Sequence, residues 1–385
     1  MTDSPASAVD ILKDLIRVRS CDNDETAIVA HLERRFAEMG VSCTVLAKDG
    51  KPLTLVAEVG EGKRSLMLHA HTDTVALGDL GNWDSHPLDP MERDGRIYGR
   101  GACDDKGSLA AMLVAFQTLL RDTSWQSRGK LLLVAAGGEE RGGVGTQLLI
   151  ERGITADAAV VGECTDLKPV IAHKGALRLE VITQGVLAHA SEPEQGVNAI
   201  DAMAPLIMRL KRLSRGIEKR VDPLCSHATL SVTTVRGGVA LNVIPDECVI
   251  SIDRRLLPSE TEQAAWREIE EALTAEAAHE NIKFSLRKVR CLLPARVGED
   301  ETIVRVCTDA LNRRVGSDSR PTGFRASCDM TFLVNDACIP TVVLGPGPLD
   351  MAHKANEWVD VEQLQTAALV YEDIARQWFD GRKSS

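Results

Sequence analysis

The sequence lacks the features that mark membrane, secreted or disulfide-bonded proteins. No apolar stretch approaches the roughly 20 residues that a transmembrane helix needs, and the N-terminal segment has neither the basic nor the apolar part of a signal peptide. The ten cysteines are scattered singly, without a Cys-x-x-Cys pair. We therefore expect a cytoplasmic protein whose thiols are mostly reduced and buried.

Positive charge is also in short supply. The chain has 45 Lys and Arg residues against 56 Asp and Glu residues, which gives a formal net charge of −11 at pH 7. A negative surface repels the phosphate backbone of nucleic acids and anionic lipid headgroups. We therefore expect neither nucleic acid nor a membrane as a partner, and a small soluble substrate instead.

Two motifs of other protein classes are missing as well. The sequence has no Gly-x-Ser-x-Gly elbow for a nucleophilic serine. The glycine-rich segment 345–348 has neither the Lys nor the Ser/Thr of a phosphate-binding loop, so it is interpreted as a turn. These absences argue against a serine hydrolase and against a phosphate loop at this segment.

What the sequence does contain is the pattern of an α/β domain. Short apolar runs, such as SLML before His69, KLLLVAA before Gly137 and DAAVV before Gly162, lead directly into polar residues. Strands buried on both faces of a sheet have this pattern, and such sheets gather their chemistry at the carboxyl ends of the strands. Segments between the runs, such as 108–120, have helical spacing. We predict an α/β catalytic domain with a mostly parallel central sheet flanked by helices.

A different pattern begins near residue 176, where apolar and polar residues alternate. The predicted order that follows is strand, helix, strand, strand, helix, strand, which is the ferredoxin-like order. A chain of 385 residues also exceeds what one hydrophobic core usually supports. We therefore predict a catalytic domain of residues 1–175 and 290–385, and an inserted α+β ferredoxin-like dimerisation or lid domain of residues 176–289.

Histidines and carboxylates cluster where the predicted strands of the catalytic domain end. The candidates are His71, Asp73, Asp104, Asp105, Glu139, Glu140, Glu163 and His353. Imidazole and carboxylate groups bind zinc and similar cations, and one of two adjacent carboxylates can hold metal while the other takes a proton from water. Each candidate alone also has a structural explanation, such as a helix cap for the two aspartates or a surface position for the histidines.

The motifs together resemble the M20 metallopeptidase family, in its acetylornithine deacetylase and succinyl-diaminopimelate desuccinylase branch. The matching stretches are HAHTDTV, GRGACDDKGSLAA, GGEE, VVGE, GVLAHASEPEQGVNAI, NVIPDECVISIDRR and AHKANEWV. They agree with the family in order and spacing over most of the chain. This breadth makes the resemblance far more specific than any one motif.

The resemblance implies a dinuclear zinc site, for which cobalt or manganese are possible substitutes. In it, Asp104 bridges the ions, His71 and Glu163 bind one of them, and Glu140 and His353 bind the other. Glu139 is the implied general base. Asp73 is the implied partner that orients His71.

The resemblance also assigns residues of the inserted domain. It implies a homodimer in which His189 reaches the partner's active site and donates a hydrogen bond to the developing oxyanion. It further implies that Asn242 and Arg255 contact the substrate carboxylate, although Arg255 could instead form a structural ion pair. For Arg325, Ser327 and Asp329, substrate contact and loop structure stay equally open.

These expectations favour a metal-dependent hydrolase that cleaves the amide bond of a small N-acyl amino acid, as acetylornithine deacetylase does. A carboxypeptidase or dipeptidase would use the same water and the same metals. Glu163 favours a deacylase or a glutamate-type carboxypeptidase, because family aminopeptidases and dipeptidases more often have Asp there. A homologue that binds without catalysis would have lost a ligand or the base, and this sequence retains all of them.

Overall fold

A computed structural model describes residues 7–316 and 319–381. The helices are α1 (Ala8–Arg17), α2 (Thr26–Glu38), α3 (Lys106–Arg121), α4 (Val144–Glu151), α5 (Ala199–Ile217), α6 (Glu262–Glu280), α7 (Thr302–Val315), α8 (Met330–Asn335) and α9 (Val361–Asp380). Within these residues, no helix combines the length and the apolar character that a membrane crossing requires.

The strands range in length from two to ten residues. They are β1 (Cys43–Lys48), β2 (Lys51–Val59), β3 (Arg64–His71), β4 (Met91–Arg93), β5 (Arg96–Tyr98), β6 (Gly129–Ala136), β7 (Ala159–Val161), β8 (Val170–His173), β9 (Gly175–Gln184), β10 (Ala188–His189), β11 (Val221–Asp222), β12 (Ser226–His227), β13 (Thr229–Gly237), β14 (Val243–Ile244), β15 (Glu247–Leu256), β16 (Phe284–Leu292), β17 (Ala295–Arg296), β18 (Thr322–Phe324), β19 (Thr341–Val343) and β20 (Trp358–Asp360).

The chain forms two compact units. The second unit consists of Ala172–Arg296 and Gly323–Ser327, and the first contains the rest of the described residues. The sequence placed 1–175 and 290–385 in the outer domain, but residues 172–175 and 290–296 belong to the second unit, and so do residues 323–327. The reason is close packing, since a Cβ atom on Gly323 would lie 2.3 Å from the carbonyl oxygen of Leu224.

The first unit is built on a sheet with the strand order β1-β2-β6-β3-β7-β19-β8. Its centre is parallel, because β6, β3, β7 and β19 run in the same direction, and the neighbours on either side are antiparallel. The apolar runs are buried as predicted, with Leu66, Leu68, Leu131 and Leu133 fully shielded from solvent. The predicted mixed α/β fold with a mostly parallel central sheet and packed helices is confirmed.

The second unit is a four-stranded antiparallel sheet in the order β13-β15-β9-β16, packed against α5 and α6. This arrangement is the predicted ferredoxin-like order of strands and helices. The alternation along β9 has the expected effect: Leu177, Leu179 and Val181 are buried in the core of this unit, whereas Arg178 is exposed. The strand β13 lies at one edge of the sheet.

Candidate metal centre

Three parallel strands deliver site residues to one edge of the sheet in the first unit. His71 is the last residue of β3, and it is paired in register with Ala136 at the end of β6. Gly137–Glu140 follow β6 directly, and Glu163 follows two residues after the end of β7. Because parallel strands end at the same edge, side chains that are far apart in sequence meet there.

The five predicted ligands form two triads that share Asp104. The donor atoms of His71, Asp104 and Glu163 lie within 4.8 Å of one another, and the same is true of Asp104, Glu140 and His353. The Nε2 atom of His71 lies 2.9 Å from Oδ1 of Asp104. The Nε2 atom of His353 lies 3.2 Å from the other oxygen of Asp104. The shared carboxylate thus offers one oxygen to each triad.

The clustered carboxylates create an electrostatic environment that favours a bound positive charge. Burial and the negative charge of Asp104 raise the pKa of Glu163 well above its usual value. Burial would lower the pKa of His71, but its hydrogen bond to Asp104 and the charges of Asp104 and Asp105 outweigh burial and raise that pKa well above normal. Hydrogen bonds to Asp104 and Glu140 raise the pKa of His353 to about 10. Nitrogen and oxygen donors packed in this way fit divalent cations such as zinc.

Asp73 contacts both His71 and the turn that follows β6. Its carboxylate lies 3.7 Å from Nδ1 of His71, and this nitrogen is 2.9 Å from the main-chain carbonyl oxygen of Asp73 instead. The carboxylate accepts hydrogen bonds from the backbone N–H groups of Gly138, Glu139 and Glu140, at 2.7, 3.0 and 3.1 Å. Asp73 therefore fixes the turn that presents Glu139 and Glu140.

Glu139, the predicted general base, is half-buried beside the two triads. Burial raises the pKa of its carboxyl well above the usual value, and the charges of Asp329 and Glu140 add to the shift. A carboxylate with a raised pKa accepts a proton more readily. The position of Glu139 next to Glu140, a member of one triad, suits proton transfer at the same site.

Glu357 supports the candidate site and was not singled out from the sequence, although it lies in the motif AHKANEWV. The fully buried carboxylate accepts hydrogen bonds from the backbone of Gly101, Cys103 and Asp104, at 2.9 to 3.0 Å. It also pairs with Arg100 at 2.8 Å. Glu357 thereby holds the loop that carries Asp104, the residue that both triads share.

The remaining predicted site residues lie in the second unit. The exposed His189 forms a hydrogen bond with Ser191 at 2.7 Å, and β10 pairs with β14 next to Asn242. Arg255 is 27% exposed and donates to Asp253 at 2.7 Å, which is the ion pair considered as the structural alternative. The neighbouring Arg254 is fully buried, so Arg255 is the arginine of this pair that a ligand can reach.

The three residues whose role the sequence left open, namely Arg325, Ser327 and Asp329, fall into different units of the structure. Arg325 and Ser327 belong to the second unit, whereas Asp329 belongs to the first. Asp329 is 2% exposed and accepts a hydrogen bond from Thr146 at 2.7 Å. His69 lies two residues before His71 on β3 but belongs to neither triad. Its Nε2 atom lies 2.8 Å from the hydroxyl oxygen of the same Thr146.

Known proteins with similar sequences include deacylases. An acetylornithine deacetylase of Pectobacterium carotovorum is 30% identical over 349 residues, which cover 89% of this chain and 88% of that protein. A probable succinyl-diaminopimelate desuccinylase of Staphylococcus epidermidis is 23% identical over 404 residues, which cover 98% of this chain and 99% of that protein.

Solved structures of peptidases share the fold. A tripeptidase of Staphylococcus aureus has a TM-score of 0.80 at 23% identity, with 97% of this chain and 98% of that chain covered. An M20 family metallo-carboxypeptidase of Sulfolobus solfataricus has a TM-score of 0.81 at 19% identity, with 97% and 100% covered. The model of Peptidase family M20/M25/M40 matches residues 67–377. The motifs and this match agree, and the chain belongs to the M20/M25/M40 peptidase family.

Proposed function

We propose that this chain is an amidohydrolase that uses two zinc ions to release an amino acid from a small N-acyl amino acid. The observation that supports it most is the sharing of Asp104 by two donor triads. A bridging carboxylate between two cations is typical of co-catalytic metal sites. The likeness to an acetylornithine deacetylase supports an N-acyl amino acid as the substrate. Cobalt or manganese would suit the same nitrogen and oxygen donors.

The protein residues have distinct tasks in this reaction. Two bound cations would lower the pKa of a shared water and polarise the scissile carbonyl. Glu139 accepts the proton that the attacking water loses, and it donates this proton to the amine as the carbon–nitrogen bond breaks. Asp73 keeps Glu139 in place through the backbone of the turn. Glu357 keeps Asp104 in place from the other side.

We further propose that the enzyme is a homodimer and that His189 serves the partner's site. His189 is exposed, and in the pairing of β10 with β14 it lies opposite Val243, the residue after Asn242. The nearby side chains of Val239 and Leu241 are 81% and fully exposed. Exposed apolar side chains of this size commonly mark an interface, and a sheet edge such as β13 favours pairing with a second copy. Arg255 and Asn242 would then bind the substrate carboxylate, for which a planar guanidinium is well suited.

A substrate panel tests the proposed reaction. The zinc-loaded protein is assayed with N-acetyl, N-succinyl, N-formyl and N-carbamoyl amino acids beside short dipeptides, and its metal content is measured. We expect two ions per chain and faster hydrolysis of an N-acyl amino acid than of any dipeptide. Preferred cleavage of dipeptides would overturn the substrate assignment in favour of a peptidase. Failure to hydrolyse any amide would overturn the enzymatic proposal itself.

The dimer has its own test. His189→Ala and Glu139→Gln are each expected to be nearly inactive, since one lacks the oxyanion donor and the other lacks the base. After subunit exchange, a mixed dimer has one site with an intact Glu139 and an intact His189 from the other chain. Recovery of activity in such dimers supports the arrangement. Mixed dimers without recovery, or a monomer with full activity, would contradict it.

We assign the reaction to the cytoplasm, because all ten cysteines are unpaired.

A further inference from the structure

Three buried polar side chains form a hydrogen-bonded chain behind the turn that carries Glu139. They come from three different elements: His69 from β3, Thr146 from the first turn of α4, and Asp329 from the residue before α8. The hydroxyl of Thr146 lies 2.8 Å from Nε2 of His69 and 2.7 Å from Oδ2 of Asp329. His69 and Thr146 are fully buried and Asp329 is 2% exposed.

The direction of these hydrogen bonds follows from the single proton of the hydroxyl. Thr146 donates that proton to Asp329, so its oxygen accepts the proton of Nε2 of His69. The chain therefore runs from imidazole to hydroxyl to carboxylate, and each bond polarises the next. The second oxygen of Asp329 and Nδ1 of His69 are buried without a hydrogen-bond partner among the described residues. Such groups are costly to bury, which indicates a role beyond filling space.

The chain joins two parts of the metal centre. His69 lies on the same strand as the ligand His71, two residues before it. Thr146 lies just after the turn 138–143, whose closing hydrogen bond runs from the N–H of Gly143 to the carbonyl of Gly138 at 2.9 Å. Gly143 also packs directly on Asp329, because a Cβ atom there would lie 2.6 Å from Oδ1 of Asp329. The turn is thus held by Asp73 on one side and by Asp329 and Thr146 on the other.

We propose that Asp329 is a positioning residue which, through Thr146 and His69, fixes the turn of Glu139 relative to the ligand His71. The proposal rests on the proposed function, in which Glu139 moves the proton. Asp329 does not need to touch the substrate in this role. A displacement of about 1 Å at a catalytic group can reduce turnover by about two orders of magnitude. Loss of the hydroxyl should therefore reduce the catalytic rate while the ligands remain in place.

Two matched substitutions of Thr146 test the proposal. Thr146→Val keeps the shape of the side chain and removes the hydroxyl, whereas Thr146→Ser keeps the hydroxyl. On N-acetyl-L-ornithine, or on the best substrate of the panel, we expect kcat of Thr146→Val to fall by about tenfold or more, in line with a misplaced catalytic group. The zinc content should be unchanged and KM should stay within about twofold of the wild-type value, as expected for a change confined to the transition state. Thr146→Ser should retain most of the activity.

A second pair of substitutions, at Asp329, keeps the proposal testable if the Thr146→Val protein does not fold. Asp329→Asn keeps an oxygen that can accept from Thr146, and Asp329→Ala does not. We expect the Asn variant to retain most of kcat and the Ala variant to lose as much as Thr146→Val. Equal loss in both Asp329 variants, or full activity of Thr146→Val, would overturn the inference. An inactive wild-type protein would instead refute the proposed function, so the two failures are distinguishable.

Discussion

The ion pairs of the second unit and the carboxylate cluster of the first unit treat buried charge in different ways. In the second unit, the buried Arg254 pairs with Glu260, and the buried Asp222 pairs with Arg296 at 2.7 Å. In the candidate metal site of the first unit, Asp104 and Glu163 lie together, and imidazoles and further carboxylates surround them. Paired buried charges stabilise a structure or set its geometry, whereas clustered carboxylates indicate a site completed by a cation.

The largest effect is expected from the carboxylate that both triads share. Asp104→Asn removes one negative charge from each triad, so the protein should lose both ions. Activity should fall by about four orders of magnitude or more, because bound metals supply several kcal/mol to such reactions. His353→Asn affects one triad only and should retain one ion. Metal analysis after dialysis distinguishes the two, and equal metal loss in both variants would contradict a shared ligand.

Glu139→Gln is expected to separate catalysis from metal binding. The amide has nearly the same size but cannot accept the proton of water, so kcat should fall by about 10³-fold, the usual scale of general base catalysis. The metal content should equal that of the wild-type protein, because Glu139 belongs to neither triad. Glu276→Gln, at a partly exposed position of the second unit, is a matched control that should leave kcat unchanged. A Glu139→Gln variant with normal turnover would refute the mechanism.

In the second unit, a Glu-to-Gln substitution at Glu260 should lower the stability of the fold and leave the catalytic rate unchanged. Glu260 accepts hydrogen bonds from the buried Arg254, from Arg220 at 2.9 Å and from the backbone N–H of Leu257 at 2.9 Å. Glu260→Gln leaves the charge of Arg254 without its partner, so the free energy of unfolding should decrease by about 3 kcal/mol. Denaturant titration measures this change.

The matched control for Glu260 is again Glu276→Gln. Glu276 pairs with Arg212 at 2.7 Å in the same unit, but half of the Arg212 side chain is exposed. Loss of this ion pair should lower the free energy of unfolding by less than about 1 kcal/mol, as for other solvent-accessible ion pairs. Similar losses of stability in the two variants would show that burial of Arg254 does not govern the cost.

Parts of this site were predictable because of where strands end. Buried parallel strands give continuous apolar runs, so the sequence indicated where His71, Glu140 and Glu163 would gather. Their assignment as ligands came from the resemblance to the M20 family. The binding of three backbone N–H groups by Asp73, and of three more by Glu357, was not predictable, because it depends on the direction of N–H groups in folded loops. The same holds for the contact between Asp329 and Thr146.

The last expected effect concerns the pH dependence of stability and a buried histidine of the second unit that is kept neutral. His173 is fully buried, with Nδ1 2.9 Å from the carbonyl oxygen of Lys174, and burial lowers its pKa to about 4. In the unfolded chain the pKa is about 6.5, so the unfolded state binds the proton first as the pH falls. Stability should therefore be lost between pH 6.5 and 4.

The contribution of His173 to this loss should reach about 3 kcal/mol, since each unit of pKa shift corresponds to about 1.4 kcal/mol. Unfolding of the metal-free protein is measured across this range, so that release of metal does not enter the slope. His173→Gln cannot be protonated, and its stability should fall less steeply with acid than that of the wild-type protein. Parallel curves for the two proteins would show that His173 is not held neutral. A flatter curve would add a third case to the comparison, because His173 is then a buried titratable group that stays neutral and forms no ion pair.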